Sequence, residues 1–338
     1  MHVTTLGIDV AKHLFQLHGG DERGRTVLSR RVRRNKLLEV VTSLPPCVIG
    51  MEACASAPHG GRAFAQLGHA VKLMSPKYVK PSVKTNKNDA RDAEAICEAV
   101  SGPTMRVVAI KTVDQTDLQG VHRSRSLLIK TRTALINQIR GLLGEYGVVM
   151  ARSPEQVRPA LVELLEDERT GLPPFARETF TELYEQLVEL EQRIAKVTQR
   201  LDRVFRAHPV CRKLAAVPGI GPLTATALLA AVSQPHVFQN GRHLAAWLGL
   251  VPRQCSSGGK ARLGGLSKRG NRYVRTLLIH GARAVVQRAA HRTDVQGRWM
   301  WDLKRRKGTN VATVAVANKN ARAIWALLAH DDGYRRSA

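Results

Sequence analysis

The sequence predicts an α/β domain with a mixed sheet, a helical coiled-coil spacer and an all-α C-terminal domain, divided as residues 1–110, 111–205 and 206–338. Three patterns carry this expectation. Short apolar runs alternate first with turns and then with helical stretches over roughly the first hundred residues. Apolar positions then recur at steps of four and three from Leu183 to Val204. Finally, Arg203 to Thr293 holds no Asp or Glu but fifteen Lys and Arg, where the chain's average content would give roughly seven acids.

Val3 to Asp9 reads as a short strand, with Leu14 to His18 and Thr26 to Val32 as its hairpin partners and Gly19-Gly20 and Gly24 supplying turns. A helix is expected from Asn35, a good N-cap, to Leu44, followed by the buried strand Cys47 to Met51, which delivers Glu52. A helix near Arg62 to Leu67, a strand from Ala70 to Met74 and a helix over Asp89 to Val100 complete a mixed sheet covered by helices. From Asp114 to Leu143, Leu118, Val121, Leu128, Leu135, Ile139 and Leu142 recur at helical intervals among His122, Arg123 and Arg125, giving a basic amphipathic helix. After the Pro-containing stretch Ser153 to Pro174 comes the seam Leu183, Leu187, Leu190, Ile194, Val197, Leu201 and Val204. That seam serves either a hairpin with the preceding helix or a contact between two chains.

Charge fixes the class of partner. The chain has 53 Lys and Arg against 27 Asp and Glu, a formal net charge of +26, which is the footprint of a protein that works on nucleic acid. A membrane reading is weaker, since no apolar run reaches the eighteen or so residues of a transmembrane helix and the N-terminus lacks the pattern of a signal peptide. A cytoplasmic protein is expected. Cys47, Cys54, Cys97, Cys211 and Cys255 lack CxxC spacing, which argues for reduced thiols and against a disulfide framework or zinc knuckle.

Four carboxylates stand out against this charge. Asp9 and Glu52 end strands expected to be neighbours, and Asp89 and Asp92 lie one helical turn apart on a helix that can pack beside them. An RNase H-type nuclease core assembles a metal site in this way. Oxygen ligands suit Mg²⁺ or Mn²⁺, and two such ions about 4 Å apart can stabilise both the attacking and the leaving oxygen of phosphoryl transfer. The plainer alternative is that each acid is a cap or a solvated surface charge.

The C-terminal part offers two further features. Leu214 to Ala225 reads as a helix-hairpin-helix turn in which Gly219 and Gly221 let the backbone approach a phosphate, or else as a tight turn used only for packing. Farther on, Leu248 to Lys260 leads into Leu266 to Arg275, a glycine-rich loop with many cations and an anchoring helix from Tyr273 to His291. No Ser-His-Asp arrangement is visible, and spacing alone leaves the serines as ordinary loop residues.

Gly7-Ile8-Asp9-Val10-Ala11-Lys12, Met51-Glu52-Ala53 and Asn88-Asp89-Ala90-Arg91-Asp92-Ala93-Glu94-Ala95-Ile96 resemble the signature of the DEDD transposases of bacterial insertion sequences, the insertion sequence one-ten family, whose N-terminal domain is RuvC-like. Some members carry Asp where this chain has Asn86, three residues before Asp89, and here Asp89 with Asp92 is the pair of acids with that spacing. Pro252 to Gly258 and Leu266-Ser267-Lys268-Arg269-Gly270 are similar to the family's C-terminal transposase domain, in which a serine attacks DNA. Alignment on Pro252 puts that serine at Ser257, with Ser256 its rival and Ser267 in a separate phosphate-contacting motif.

The resemblance implies a transposase that cuts and rejoins donor and target DNA through a phosphoserine link, guided by a structured non-coding RNA of the element. It further implies a homo-oligomer, dimer or tetramer, acting at the nucleoid, with the carboxylates and the serine in one composite site. Arg253, Lys260, Arg262, Lys268, Arg269, Arg272 and Arg275 are the cations expected to hold nucleic acid, with Gly219 and Gly221. The alternative is a metal-dependent RuvC-like Holliday-junction endonuclease in which Asp9, Glu52, Asp89 and Asp92 work without serine chemistry.

Overall fold

The computed structural model describes residues 2–82 and 88–330, so Asn86 lies outside the described residues. The chain divides into two compact units, Met1–Val113 and Asp114–Ala338.

In the first unit, β1 (Thr5–Asp9), β2 (Leu14–Gly20) and β3 (Thr26–Arg33) form an antiparallel meander. Gly19 and Gly20 finish β2 across a register shift, whereas the turn itself is made by Gly24 and by Asp21, whose carboxylate accepts from the Arg23 and Arg25 amides at 2.9 Å. Helix α1 (Arg34–Thr42) starts one residue before Asn35, with Arg33 at the N-cap position. Then follow β4 (Val48–Glu52), α2 (Ala57–Gln66), β5 (Ala70–Met74), the single turn α3 (Pro76–Val79), α4 (Asp89–Ser101) and β6 (Val107–Val108). Strands β4 and β5 add in parallel beside β1 and β6 closes antiparallel, giving the order β3-β2-β1-β4-β5-β6, with an RNase H-like β3-β2-β1-β4-β5 succession.

Helix α4 lies against β1 and β4 because both strands carry a glycine where it crosses. A Cβ on Gly7 would sit 2.6 Å from the Cys97 amide nitrogen and against the Ala93 carbonyl; one on Gly50 would sit 2.8 Å from the Val100 Cβ. Ala93, Ile96, Cys97 and Val100 are all buried on this face. The helix begins cleanly, since the Asn88 side chain accepts from the Ala90 amide at 3.0 Å.

The second unit is built on two long helices, α5 (Val113–Glu145) and α7 (Pro174–Ala207). Between them the Pro-containing stretch holds the helix α6 (Val157–Glu166) as well as turns. Leu135, Ile136, Ile139 and Leu143 of α5 share a core with Val157 and Leu161 of α6 and Phe180, Leu187 and Leu190 of α7. Leu118 shares another with Leu201 and Ala230, and Arg125 Nε donates to Thr198 Oγ1 at 2.9 Å. The two helices therefore run antiparallel, and every residue of the Leu183 to Val204 seam is buried or half-buried. The intramolecular hairpin, one of the two readings of that seam, is formed.

At the hairpin's root sit α8 (Pro209–Ala215), α9 (Pro222–Ala231), α10 (Gly241–Trp247), the strands β7 (Pro252–Gln254) and β8 (Leu263–Leu266), α11 (Arg272–Gln287) and α12 (Val295–Ala329). The anchoring helix expected to reach His291 ends at Gln287, and a short 3₁₀ turn covers Ala289–His291. Helix α12 is two helices joined at Gly308, where φ is +79°. Its second half buries Ala312, Val316, Ala317, Ala321 and Ile324 in the core shared with α8 to α11.

One polar network lies at the junction of α5, α9 and α11. Thr226 Oγ1 donates to the Pro222 carbonyl at 2.7 Å, so its oxygen accepts from His122 Nε2 at 3.1 Å; Nδ1 then accepts from the Tyr273 hydroxyl at 3.0 Å. Burial first, and the Arg125 charge second, pull the His122 pKa down to about 4. His122 is thus neutral at pH 7.

Two outcomes follow for stability. Replacing Gly7 by Ala forces α4 off the sheet and destabilises the first unit by about 1–3 kcal/mol, measured by urea unfolding. As pH falls below 6.5, the unfolded chain takes up a proton on His122 that the folded chain refuses until about pH 4. Stability of the second unit is lost across that window, by roughly 3 kcal/mol in full. Thermal melts of the wild type should fall accordingly, and His122→Gln should flatten that part of the profile.

Candidate metal centre and serine hairpin

Strand pairing sets Ile8 opposite Met51, so Asp9 and Glu52 are the next residues on adjacent parallel strands. Alternation along each strand puts Asp9 on the face of Gly7 and Glu52 on the face of Gly50, the face that α4 covers. Asp89 and Asp92 come down to the same edge from the first turn of α4. The carboxylate oxygens of Asp9, Asp89 and Asp92 lie within 4.8 Å of one another, with Asp89 exposed and the other two half-buried. Glu52 ends the neighbouring strand on that face, but its carboxylate stands outside this group of three.

Acids in a helix's first turn are favoured by its dipole, which accounts for Asp89 and Asp92 as helix residues but not for Asp9 beside them. Three carboxylates this close repel one another unless a cation or proton intervenes. The donor set is all hard oxygen, which fits a divalent cation of that kind. Arg34 fixes the loop that leaves Asp9, donating to the Lys12 carbonyl at 2.6 Å and the Ala11 carbonyl at 2.9 Å while its guanidinium stacks over Phe15. Nothing in the spacing of the sequence signals that clamp.

In the second unit the glycine-rich loop is folded as a two-stranded hairpin, β7 with β8. Ser257 pairs with Lys260 across Gly258 and Gly259, whose φ values of +57° and +73° make a two-residue turn of the kind that suits glycine. The rival serines differ in their bonding. Ser256 Oγ accepts from the Arg262 amide at 3.2 Å and from Gln254 Nε2 at 3.1 Å, tying the strands together. Ser257 Oγ is exposed and makes no hydrogen bond among the described residues. Ser267 Oγ is buried, without a partner among the described residues.

Arg253, Lys260, Arg262, Lys268, Arg269 and Arg272 are all exposed on or beside this hairpin. Arg275 is not. It is buried, and its guanidinium donates to the Leu248 carbonyl at 3.0 Å and the Arg269 carbonyl at 2.7 Å, so it fastens the hairpin's base instead of facing nucleic acid. The base is crossed tightly: Gly270, at φ +74°, passes against the Trp247 carbonyl, and Lys268 has φ +54°, the only positive value for a non-glycine among the described residues. Gly219 likewise serves packing, since a Cβ there would lie 2.7 Å from the Gly281 carbonyl of α11. Gly221 is exposed at the N-cap of α9.

An RNase H-like sheet whose central strand ends in Asp9, clustered with Asp89 and Asp92 of α4, defines a phosphoryl-transfer enzyme of the DEDD kind, and the three acids suggest a divalent metal site. The DEDD transposase model of the IS110 group matches residues 6–148, and the model described as "Transposase IS116/IS110/IS902 family" matches residues 211–296. A probable family 20 transposase of Pseudomonas aeruginosa is 47% identical over 99% of this chain and 99% of its own length. The transposase for insertion sequence element IS1111A of Coxiella burnetii is 46% identical, covering 99% of this chain and 92% of its own. The transposase for insertion sequence element IS1328 of Yersinia enterocolitica is 37% identical over 96% of each. The chain belongs to the IS116/IS110/IS902 family of transposases, DNA phosphoryl-transfer enzymes with an N-terminal DEDD domain.

Calorimetric titration with Mn²⁺ checks the cluster. Asp9→Asn or Asp92→Asn should weaken binding about tenfold or more, near 1.4 kcal/mol, and Glu52→Gln should weaken it less.

Proposed function

We propose that the protein cuts and rejoins donor and target DNA through Ser257, assisted by Mg²⁺ or Mn²⁺ held by Asp9, Asp89 and Asp92 with Glu52 beside them, and guided by a non-coding RNA of its element. The observation that carries this reading is the contrast between the two serines, one hydroxyl engaged in the hairpin and the other presented unbonded at its turn among exposed cations. Ser257 Oγ attacks the phosphorus, the bond to the strand's own oxygen breaks, and a phosphoserine and a free hydroxyl result. Attack by the hydroxyl of the incoming strand reverses the step, so one phosphodiester replaces another with no net hydrolysis.

Arg253, Lys260 and Arg262 supply positive charge to the pentacoordinate phosphate, and Lys268, Arg269 and Arg272 track the flanking backbone. The divalent ion, when bound, supplies Lewis-acid stabilisation of developing charge on phosphate oxygens. The hairpin itself, Pro252 to Leu266, has no carboxylate or imidazole to take the serine proton, which supports a share for the acidic cluster in the step. Self-association, as a dimer or tetramer, would bring two DNA partners together. Action at the nucleoid, in the bacterial cytoplasm, belongs to the same reading; no described helix is long and apolar enough to cross a membrane.

The second reading, a Holliday-junction endonuclease without serine chemistry, is favoured by one observation: carboxylate oxygens of Asp9, Asp89 and Asp92 lie within 4.8 Å of one another, close enough to share a cation without the serine hairpin. Denaturing gels of a cleavage reaction separate the two. A protein-DNA adduct should form with the wild type and with Ser256→Ala and be absent in Ser257→Ala. Loss in Asp9→Ala as well would mark dependence of the serine step on the acids. Cleavage that survives Ser257→Ala sinks the serine mechanism. Co-purified nucleic acid should include one discrete RNA, and a random population would count against the guide.

A further inference from the structure

The charge of the second unit is divided between its ends. Residues 145–191 hold eleven Asp and Glu against four Arg and no Lys, a net of minus seven in a chain of +26. These residues form the free end of the α5–α7 hairpin. Glu178, Glu182 and Glu185 follow one another along one side of α7, and Glu163 and Glu166 along α6; all five are exposed and none has an ion-pair partner among the described residues. Amid them stand apolar side chains turned to solvent: Val149 is 93% exposed, Phe175 82% and Tyr146 48%.

An acidic surface is repelled by nucleic acid, so this tip is not a further DNA or RNA contact. Asp167, Glu189 and Glu191 pair with nearby arginines, but the tip cannot reach the cations at the root of its own unit. The acid-free helices gather at the hairpin's root around Leu118, Leu201 and Ala230, and the 28 helical residues from Leu118 to Glu145 hold the tip about 40 Å away. Exposed apolar anchors ringed by unpaired charge of one sign are the makings of a protein interface whose partner is basic. A surface of that kind is present on every copy of the chain, in the stretch from Arg203 to Thr293.

We infer that the acidic tip of the helical hairpin docks on a second copy at the cations of the Arg203 to Thr293 region that lie off the serine hairpin, Arg203, Arg206 and Arg212, with Phe175 and Val149 as apolar anchors and Glu178, Glu182 and Glu185 as charge partners. The inference rests on the self-association proposed above and names its surface. Reciprocal docking joins each tip to the other chain's root, a two-fold arrangement that closes on itself.

Sedimentation velocity on the nucleic-acid-free full chain tests it. Self-association should weaken with added NaCl. The dissociation constant should rise about tenfold in a Glu178→Lys, Glu182→Lys, Glu185→Lys triple variant and in Phe175→Asp, with melting temperatures unchanged because all four sites are exposed. Carbodiimide cross-linking of mixed labelled and unlabelled chains should join carboxylates of residues 178–185 to Lys213 of the other chain. A monomer at every concentration overturns both the self-association and the docking. Self-association with unchanged affinity in the variants, or cross-links from the tip to lysines elsewhere, overturns the docking alone.

Discussion

The first unit depends on how closely a helix can approach a sheet. At Gly7 and Gly50 the absent side chains let α4 rest on the backbone of the two central parallel strands, and any Cβ there would meet backbone or a branched side chain. That seating does more than fill the core. It brings the first turn of α4 down to the ends of β1 and β4, so the position of two carboxylates on a helix is set relative to a third on a strand. A site assembled from rigid elements in this way needs no loop to order it.

The serine hairpin is held by a different device with the same logic. Its strands are only three and four residues long and exposed, too little to be stable alone. What fixes it lies beneath: Gly270 against the Trp247 carbonyl, Arg275 bonded to two carbonyls of the crossing segments, and Tyr273 bonded through His122 to Thr226. Lys268 accepts an unfavourable backbone conformation at this crossing, which neighbours on both sides over-determine. The turn of the hairpin is thereby presented on a rigid base while its own side chains stay in solvent.

Much of this was legible in the sequence, for physical reasons that differ by element. Strands β1, β4 and β5 are short apolar runs with turns at both ends, and period and length together specify them. The acids that end β1 and β4 were visible because an acid closing a buried strand is conspicuous. Gly7 and Gly50 drew no reading from the sequence, because nothing in local pattern says which helix crosses a strand and needs the space. Arg275 was misread since a cation among cations looks like part of the phosphate-binding set; only tertiary packing shows two carbonyls waiting for it. Gly219 takes the packing role, one of the two readings that its turn left open, and α12 went unseen because its buried face mixes three alanines with Gln296, Gly297, Thr313 and Asn320, which carry little hydrophobic contrast.

The separation of charge along the helical hairpin also acts before any contact is made. A body with a positive root and a negative tip about 40 Å apart carries a large electric moment, and the field beside a nucleic acid exerts a torque on it. Screening confines that torque to about 10 Å from the phosphates, roughly the last stage of approach. Within that distance the root turns toward the strand and the tip away, so encounters begin in one orientation and the exposed hydroxyl at the hairpin turn travels with the leading end.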